Sequence, residues 1–537
     1  MPAFESRLKT DSESFERNRA QMWALVQEVR SLEQAVREHS GRKAERFAAR
    51  GQLLPRERVA RLLDGDRDFL ELSSLAGFRM HDDDGREGIT GGGAVVGVGF
   101  VCGRRAVIYA TDSAIKGGAV TPMGLRKHLR AQQIALVEKL PMFSLVESGG
   151  ANLMYQAEIF VDGGRVFANM ARMSAAGIPQ ITVVHGSSTA GGAYVPGLSD
   201  YVVAVQGKAR IFLAGPPLVK AALGQEASDE QLGGAEMHAR KSGTVEYVAQ
   251  DDAEAIALAR ELAGKALARP LPVDRPACEA PRYDPEELLG VSPFDPRVRY
   301  DCREILARVV DASDLLEFKG RYGPQTVCGH ASIEGHPCGF VGNNGPIDVA
   351  GAAKAAHFIQ ACCQAGIPII YLQNTTGFMV GVDAEEKGIV KHGAKMLQAV
   401  ANASVAQITL LVGASYGAGN YAMCGRALDP RFLFAWPNAR VAVMGGEQAA
   451  TVMDLVTRAK LERAGKSLDE EQAAQMREAL KTKIDRESSA LFGAARLWDD
   501  GIIDPRDTRK VLAFALATCA ESRRRELGAS SFGVARP

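Results

Sequence analysis

The chain has 537 residues, 64 Lys and Arg against 64 Asp and Glu, and 46% hydrophobic residues. Ordinary globular composition at that length predicts more than one domain, and the absence of a basic excess argues against nucleic acid or an anionic membrane as partner. No run approaches the ~18 uninterrupted apolar residues of a membrane span, and the charged start "MPAFESRLKTDSESFERNRA" has no apolar signal core, so a cytoplasmic location is expected.

Residues 12–39 predict a charged amphipathic helix packed outside the core. Farther on, "IALVEKLPMFSLVES" (134–148) passes from helix to buried strand, and "ITVV" (181–184) is a second buried strand. After it comes "HGSSTAGGAYVPG" (185–197), with Gly191 and Gly192 where a strand hands over to a helix. Two explanations fit one such pair: a tight turn, or a helix start whose bare N–H groups face a ligand oxygen. His185 lies too close in sequence to Ser187 and Ser188 to form a triad with them. The Pro-rich stretch 269–296 is a linker, and "FIQACCQAGIPIIYLQN" (358–374) repeats the helix–strand alternation of an α/β fold with mainly parallel sheet. The nine cysteines include no C-x-x-C and predict buried reduced thiols. No cluster has metal-ligand spacing, so no metal is expected, and neither a Walker A sequence nor a G-x-S-x-G elbow between strand and helix is present.

The chain repeats itself. "IPQITVVHGSSTAGGAY" (178–194) aligns with "VAQITLLVGASYGAGNY" (405–421) at a constant separation of 227 residues, which also aligns Lys127 with Lys354 and Pro141 with Pro368. "ARIFLAG" (209–215) then meets "ARVAVMG" (439–445) after a three-residue insertion. Two homologous domains are expected, over residues 1–275 and 290–537. The strand–small-pair–helix element recurs as Ala418–Gly419, and its recurrence favours two oxyanion-binding sites over a mere turn.

These segments, with "LVESGGANL" (145–153), "FLAGPPLVKAALG" (212–224), "NTTGFMVG" (374–381) and "DDGIIDPRDTRKVL" (499–512), resemble the carboxyltransferase (β) subunits of biotin-dependent acyl-CoA carboxylases over nearly the whole chain. The resemblance implies a tandem repeat of two crotonase-like (ClpP/crotonase) α/β domains. It implies that CO2 passes from carboxybiotin to an acyl-CoA, with biotin itself as the base. The amides of Gly191 and Gly192 would hold the thioester enolate oxygen, and those of Ala418 and Gly419 the biotin ureido oxygen. "IKGGAV" (115–120), with Gly117 and Gly118, would add a thioester contact. No "AMKM"-type biotinylation sequence is present. Biotin and ATP chemistry are therefore assigned to a separate α subunit, a biotin carboxylase with a biotinyl carrier, and β-subunit hexamers within an α6β6 complex are implied.

The resemblance lies with the methylcrotonoyl-CoA and geranyl-CoA branch, whose members carboxylate the γ-carbon of a 3-methyl-2-enoyl thioester. Val120 and Thr121 stand where methylcrotonoyl enzymes usually carry two tyrosines, and Phe167-Ala168-Asn169-Met170 where they carry Phe-Phe-Asn-Gln. Lost aromatic bulk, with Ala168 lining the pocket, favours geranyl-CoA; local repacking around a small pocket favours methylcrotonoyl-CoA. An acyl-CoA decarboxylase subunit and a stand-alone crotonase-type enzyme are the remaining alternatives.

Overall fold

The repeat in the sequence is a repeat of structure. The computed structural model describes residues 4–86, 88–272, 277–295, 298–466 and 468–536. The chain divides into two units, one of Ser31–Val273, Ala495–Leu497 and Thr518–Pro537, the other of Met1–Arg30, Asp274–Ala494 and Trp498–Ala517. Each terminal segment thus groups with the unit built mainly from the other repeat, which a linear division at 1–275 and 290–537 does not capture. The expected boundary at residue 275 lies outside the described residues. The linker expected over 269–296 is only partly one: Leu288–Val291 forms a short buried helix of the second unit.

The first unit holds an eight-stranded sheet of β1 (Leu70–Glu71), β2 (Ala94–Val101), β3 (Arg104–Thr111), β4 (Met142–Ser148), β5 (Gln180–Thr189), β6 (Tyr201–Val205), β7 (Arg210–Phe212) and β8 (Tyr247–Ala249). Its order is β1-β2-β3-β4-β5-β6-β8, with β7 also on β5. Its helices include α1 (Glu13–Gly41), shared with the other unit, α2 (Pro55–Leu62), α3 (Pro122–Val137), α4 (Gln156–Ala175) and α5 (Asp252–Ala266). The second unit has seven strands, β9 (Leu316–Glu317), β10 (Thr326–Ile333), β11 (His336–Asn343), β12 (Ile369–Thr375), β13 (Gln407–Tyr416), β14 (Phe432–Ala435) and β15 (Arg440–Ala442). Their order is β14-β13-β12-β11-β10-β9, with β15 on β13. Helices α6 (Val349–Ala365) and α7 (Gly417–Ala422) belong to it, and α8 (Thr508–Arg524) runs on into the first unit's segment.

Each sheet opens with an antiparallel hairpin, β2–β3 or β10–β11, and continues parallel from there. Both hairpins close through two residues of positive φ, Cys102–Gly103 and Glu334–Gly335, the backbone of a type I′ turn whose twist matches that of the strands. The parallel strands are buried on both faces and therefore read as continuous apolar runs: all ten residues of β13 are buried. Helix α5 packs Ile256, Ala259 and Leu262 against Ile108, Phe143 and Val183 in the first core, and α6 packs Phe358 and Ile359 with Tyr371 and Met396 in the second.

The sites are set by the two ten-residue strands, β5 and β13. Each pairs regularly with its neighbour, then slips register at equivalent positions, between Val146 and Ser148 in β4 and between Gln373 and Thr375 in β12. The strands splay there, so a crevice opens at their carboxyl ends, where open parallel sheets bind ligands.

Candidate active site

β5 ends in the turn Ala190–Ala193, followed by the short helix Tyr194–Leu198. Ala190 has φ +53°, and its repeat counterpart Gly417 has φ +56°. Both repeats therefore turn through the left-handed region before the helical residues begin, a conformation costly for alanine and free for glycine. In the second unit the turn opens α7, whose first amides, including those of Ala418 and Gly419, have no carbonyl partner within the helix. Ser188 Oγ donates to the Gly192 carbonyl at 3.0 Å, and Asn420 Nδ2 donates to Ser415 Oγ at 2.8 Å, so both turns are pinned by side chains.

Why glycine occupies 191 and 192 is answered by what a Cβ would meet. At Gly191 it would touch only Phe167 Cζ, at 3.8 Å, and at Gly192 only Ser148 and Ser188 atoms at 3.8–3.9 Å. These are ordinary contacts, and neither residue has positive φ. Neither the packing nor the backbone conformation of the turn requires glycine at these two positions. Gly419 differs, because a Cβ would lie 2.8 Å from Gly377 Cα and the packing itself excludes it.

Gly191 and Gly192 form one wall of a cavity of about 790 Å³. Val120, Val146, Ile159, Val166, Phe167 and Val195 make most of it apolar, and Tyr109, His128 and Ser148 add polar groups. Gly163 and Gly164 lie in its wall, in mid-helix on α4, where added Cβ atoms would meet nothing within 4 Å.

The other expected residues are placed as follows. Val120 lines the cavity, its N–H donating to Gly150 O at 2.9 Å. Gly117 faces a neighbouring cleft of about 520 Å³ with Lys43, Arg46 and Arg50. Gly118 is packed away, its Cβ position 2.1 Å from Glu147 O, so its glycine is a backbone requirement. Thr121 caps α3, its hydroxyl accepting from Gly124 N at 3.1 Å and donating to Gly92 O at 3.3 Å. Ala168, expected to line the pocket, is not among the cavity-lining residues: α4 contributes Ile159, Phe160, Val161, Gly163, Gly164, Val166 and Phe167, and Ala168, one turn along from Gly164, is the first residue past them. In the second unit, a cavity of about 390 Å³ is lined by Gly417, Asn420, Tyr421, Arg426 and Trp498; Ala418 is exposed beside it and Gly419 is buried.

Sequence reasoning missed the charges beneath the first turn. Arg58 is buried on α2 and donates to Glu147 Oε2 at 2.9 Å and to Asp252 Oδ2 at 3.0 Å. Asp252 Oδ1 lies 3.0 Å from His185 Nδ1, and Ser113 Oγ donates to Glu147 Oε2 at 2.8 Å. Burial alone would raise the Asp252 carboxyl, but His185 and Arg58 overcome it and hold it at about 2. Burial, then the Arg58 charge, pushes the His185 imidazole below its ordinary value, so it is neutral. Glu147 is the residue at which β4 slips, and His185 lies in β5, so this network fixes the splay that opens the crevice. Its members lie far apart in sequence and form no motif, so only the folded chain shows them.

The arrangement provides a largely apolar cavity with backbone at its mouth, and a matching small-residue turn in the other repeat. That suits chemistry in which the protein stabilises oxyanions and the reactants supply the base. Among the described residues no helix is long and apolar enough to cross a membrane.

Comparison with known proteins agrees. Residues 46–535 match the family described as carboxyl transferase domain. The biotin-dependent 3-methylcrotonyl-coenzyme A carboxylase β1 subunit of Mycobacterium tuberculosis is 49% identical over 497 residues, 91% of this chain and 93% of its own. The mitochondrial methylcrotonoyl-CoA carboxylase β chain of Dictyostelium discoideum is 45% identical over 96% of this chain and 88% of its own. The crystal structure of the P. aeruginosa geranyl-CoA carboxylase β subunit superposes with a TM-score of 0.94 at 55% identity, covering 100% of both chains. With its paired crotonase-like repeats and its two small-residue turns, the chain belongs to the carboxyl transferase family, as a β subunit of the biotin-dependent acyl-CoA carboxylases.

Proposed function

We propose that this subunit transfers CO2 to the γ-carbon of a 3-methyl-2-enoyl-CoA, with geranyl-CoA its preferred substrate over methylcrotonoyl-CoA. The observation that carries the preference is the pair Gly163–Gly164. Glycine in a helix interior costs roughly 0.5–1 kcal/mol each relative to alanine. Here the chain accepts that cost twice in succession at positions that line the cavity and where an added Cβ would meet nothing within 4 Å. A five-carbon acyl group does not need the space; a ten-carbon terpenoid tail fills it and gains ~0.8 kcal/mol per buried CH2.

Biotin, carried on a separate α subunit, supplies the CO2 and the base. This chain's own part is to hold two oxygens. Gly191 and Gly192 are assigned to the thioester oxygen, onto which charge delocalises when the γ-carbon loses its proton, and the Gly191 backbone is exposed for that contact. Ala418 and Gly419 are assigned to the biotin ureido oxygen; the first-turn amides of α7 and the nearby wall of Asn420, Tyr421 and Trp498 suit a flat polar ring. The acyl-CoA side falls in the repeat of residues 1–275 and the biotin side in that of 290–537. Hexamers of this chain within an α6β6 complex, located in the cytoplasm, complete the reading.

The test reconstitutes the full chain with its biotin-bearing α subunit, ATP and labelled bicarbonate, and measures kcat/KM across an acyl-CoA panel. Geranyl-CoA is expected to lead, and the chain without its α subunit to incorporate no label. A panel led by methylcrotonoyl-CoA would reverse the substrate assignment, and ATP-dependent carboxylation by the chain alone would overturn the subunit assignment.

A further inference from the structure

The deep end of the acyl cavity is not apolar. Tyr109 on β3 and His128 on α3 both line it, stacked with ring centroids 3.9 Å apart and planes 13° apart. They are 5% and 6% exposed. Neither makes a hydrogen bond to another described residue. Neither residue has a polar atom among the buried unpaired ones, so their polar atoms open on the cavity, where a ligand can reach them.

Their depth follows from strand register. Tyr109 pairs with Ser144 on β4, and Ser148, four residues along that strand, lies against Gly192. At ~3.3 Å per residue that places Tyr109 roughly 13 Å along the strand from the thioester end. A methylcrotonyl group stops well short of it, whereas a terpenoid chain extends toward it. Both side chains are uncharged at neutral pH: burial pushes the Tyr109 phenol up and the His128 imidazole down to about 3. Among the described residues lining the cavity there is no lysine, arginine, aspartate or glutamate. A charged tail terminus would therefore be buried without compensation, while an uncharged oxygen could accept from one ring group and donate to the other.

Resting on the acyl-CoA reading above, we infer that Tyr109 and His128 form a tail-recognition site for an uncharged oxygen, a hydroxyl or carbonyl at the far end of a terpenoid acyl chain, and so set specificity within that class.

The experiment uses the full chain and three thioesters that differ only at the tail terminus: geranyl-CoA, its terminal hydroxyl derivative and its terminal oxo derivative. Dissociation constants are measured by titration calorimetry, which needs no carboxylation. Turnover is measured in parallel with the α subunit, ATP and bicarbonate. One or both oxygenated thioesters should bind about 5- to 100-fold tighter than geranyl-CoA, the hydroxyl and oxo arms identifying which. Tyr109→Phe keeps the stacked ring and removes only the hydroxyl. It should erase most of that preference, read as the ratio of the dissociation constants of the oxygenated thioesters to that of geranyl-CoA. His128→Phe provides a second variant with the stacking preserved. Equal binding of all three thioesters by wild type, or an unchanged preference in both variants, would overturn the proposal and leave the pair as water-bridged packing. Tail-dependent binding without turnover of any of the three would uphold the recognition site while refuting the carboxylation reading.

Discussion

Gly192 and Gly419 look equivalent in sequence, one repeat apart, yet the chain constrains them differently. A methyl group fits the packing at Gly192 and collides with Gly377 at Gly419. Gly192→Ala is therefore expected to melt at the wild-type temperature while kcat falls about 10²-fold, because the new Cβ occupies space the thioester oxygen needs. Gly419→Ala should lose stability as well, by about 1–3 kcal/mol. Wild-type turnover by Gly192→Ala would return that glycine to the status of a turn residue. A second residue carries a pH signature. Asp499 is 2% exposed, beside Asp500, and its Oδ1 has no hydrogen-bond partner. Burial, with a further push from Asp500, outweighs Arg426 and raises its carboxyl to about 7. A group that holds its proton more tightly when folded stabilises the fold fully below its unfolded value near 4, and that contribution is lost as pH rises through about 7. Asp499→Asn should therefore flatten the fall in thermal midpoint between pH 4 and 7 and melt a few degrees above wild type at pH 8. A variant with the wild-type slope would show that another group titrates.

Helix α4 shows what could be read from sequence and what could not. The strands and their repeat were legible because buried parallel strands are continuous apolar runs and because β4, β5 and α3 start 227 residues before β12, β13 and α6. The turn glycines were legible because they recur. The cavity wall was not, since it draws on β3, β4, α3, α4 and the turn after β5, elements far apart in the sequence. Ala168, singled out because it replaces a phenylalanine of the methylcrotonoyl branch, is not among the lining residues, whereas Gly163, Gly164 and Phe167 are. The Arg58–Asp252 network escaped for the same reason, its partners being 194 residues apart. The corrected wall gives a sharper experiment. At Gly164 a larger side chain meets open space within the chain and restores helix propensity, so Gly164→Leu should fold at least as stably as wild type. The leucine would occupy the room a long tail needs. kcat/KM for geranyl-CoA should fall roughly 5- to 150-fold, with methylcrotonoyl-CoA little changed. Discrimination would then arise from a clash with the longer substrate. Parallel loss with both thioesters would mean that the glycines serve the mouth of the site and not its depth.

Two homologous repeats, to each of which the proposed function assigns half of the chemistry, raise a question about the assembled enzyme: whether the two halves used together come from one chain or from two. The proposed hexamer supplies partners for the second arrangement, and activity measurements on mixed assemblies separate the two. Gly192→Ala disables the acyl turn and leaves the biotin turn intact. Ala418→Pro removes one first-turn amide of α7 at a position that is already a non-glycine residue and exposed, where proline is tolerated near a helix start. Each variant alone, assembled with the α subunit, should be nearly inactive. Dissociating and reassembling the two in equal amounts distributes them at random. If each site joins the acyl repeat of one subunit to the biotin repeat of another, one pairing in four unites two intact halves, and activity should recover to about a quarter of wild type. If both halves come from the same chain, every site keeps one lesion and mixing restores nothing. Recovery should also require the reassembly step, so simple mixing of preformed complexes provides the control. Recovery near a quarter, together with loss of activity on dilution to a monomer, would establish that this chain works only as an oligomer; absence of recovery in fully exchanged assemblies would confine the reaction to one subunit.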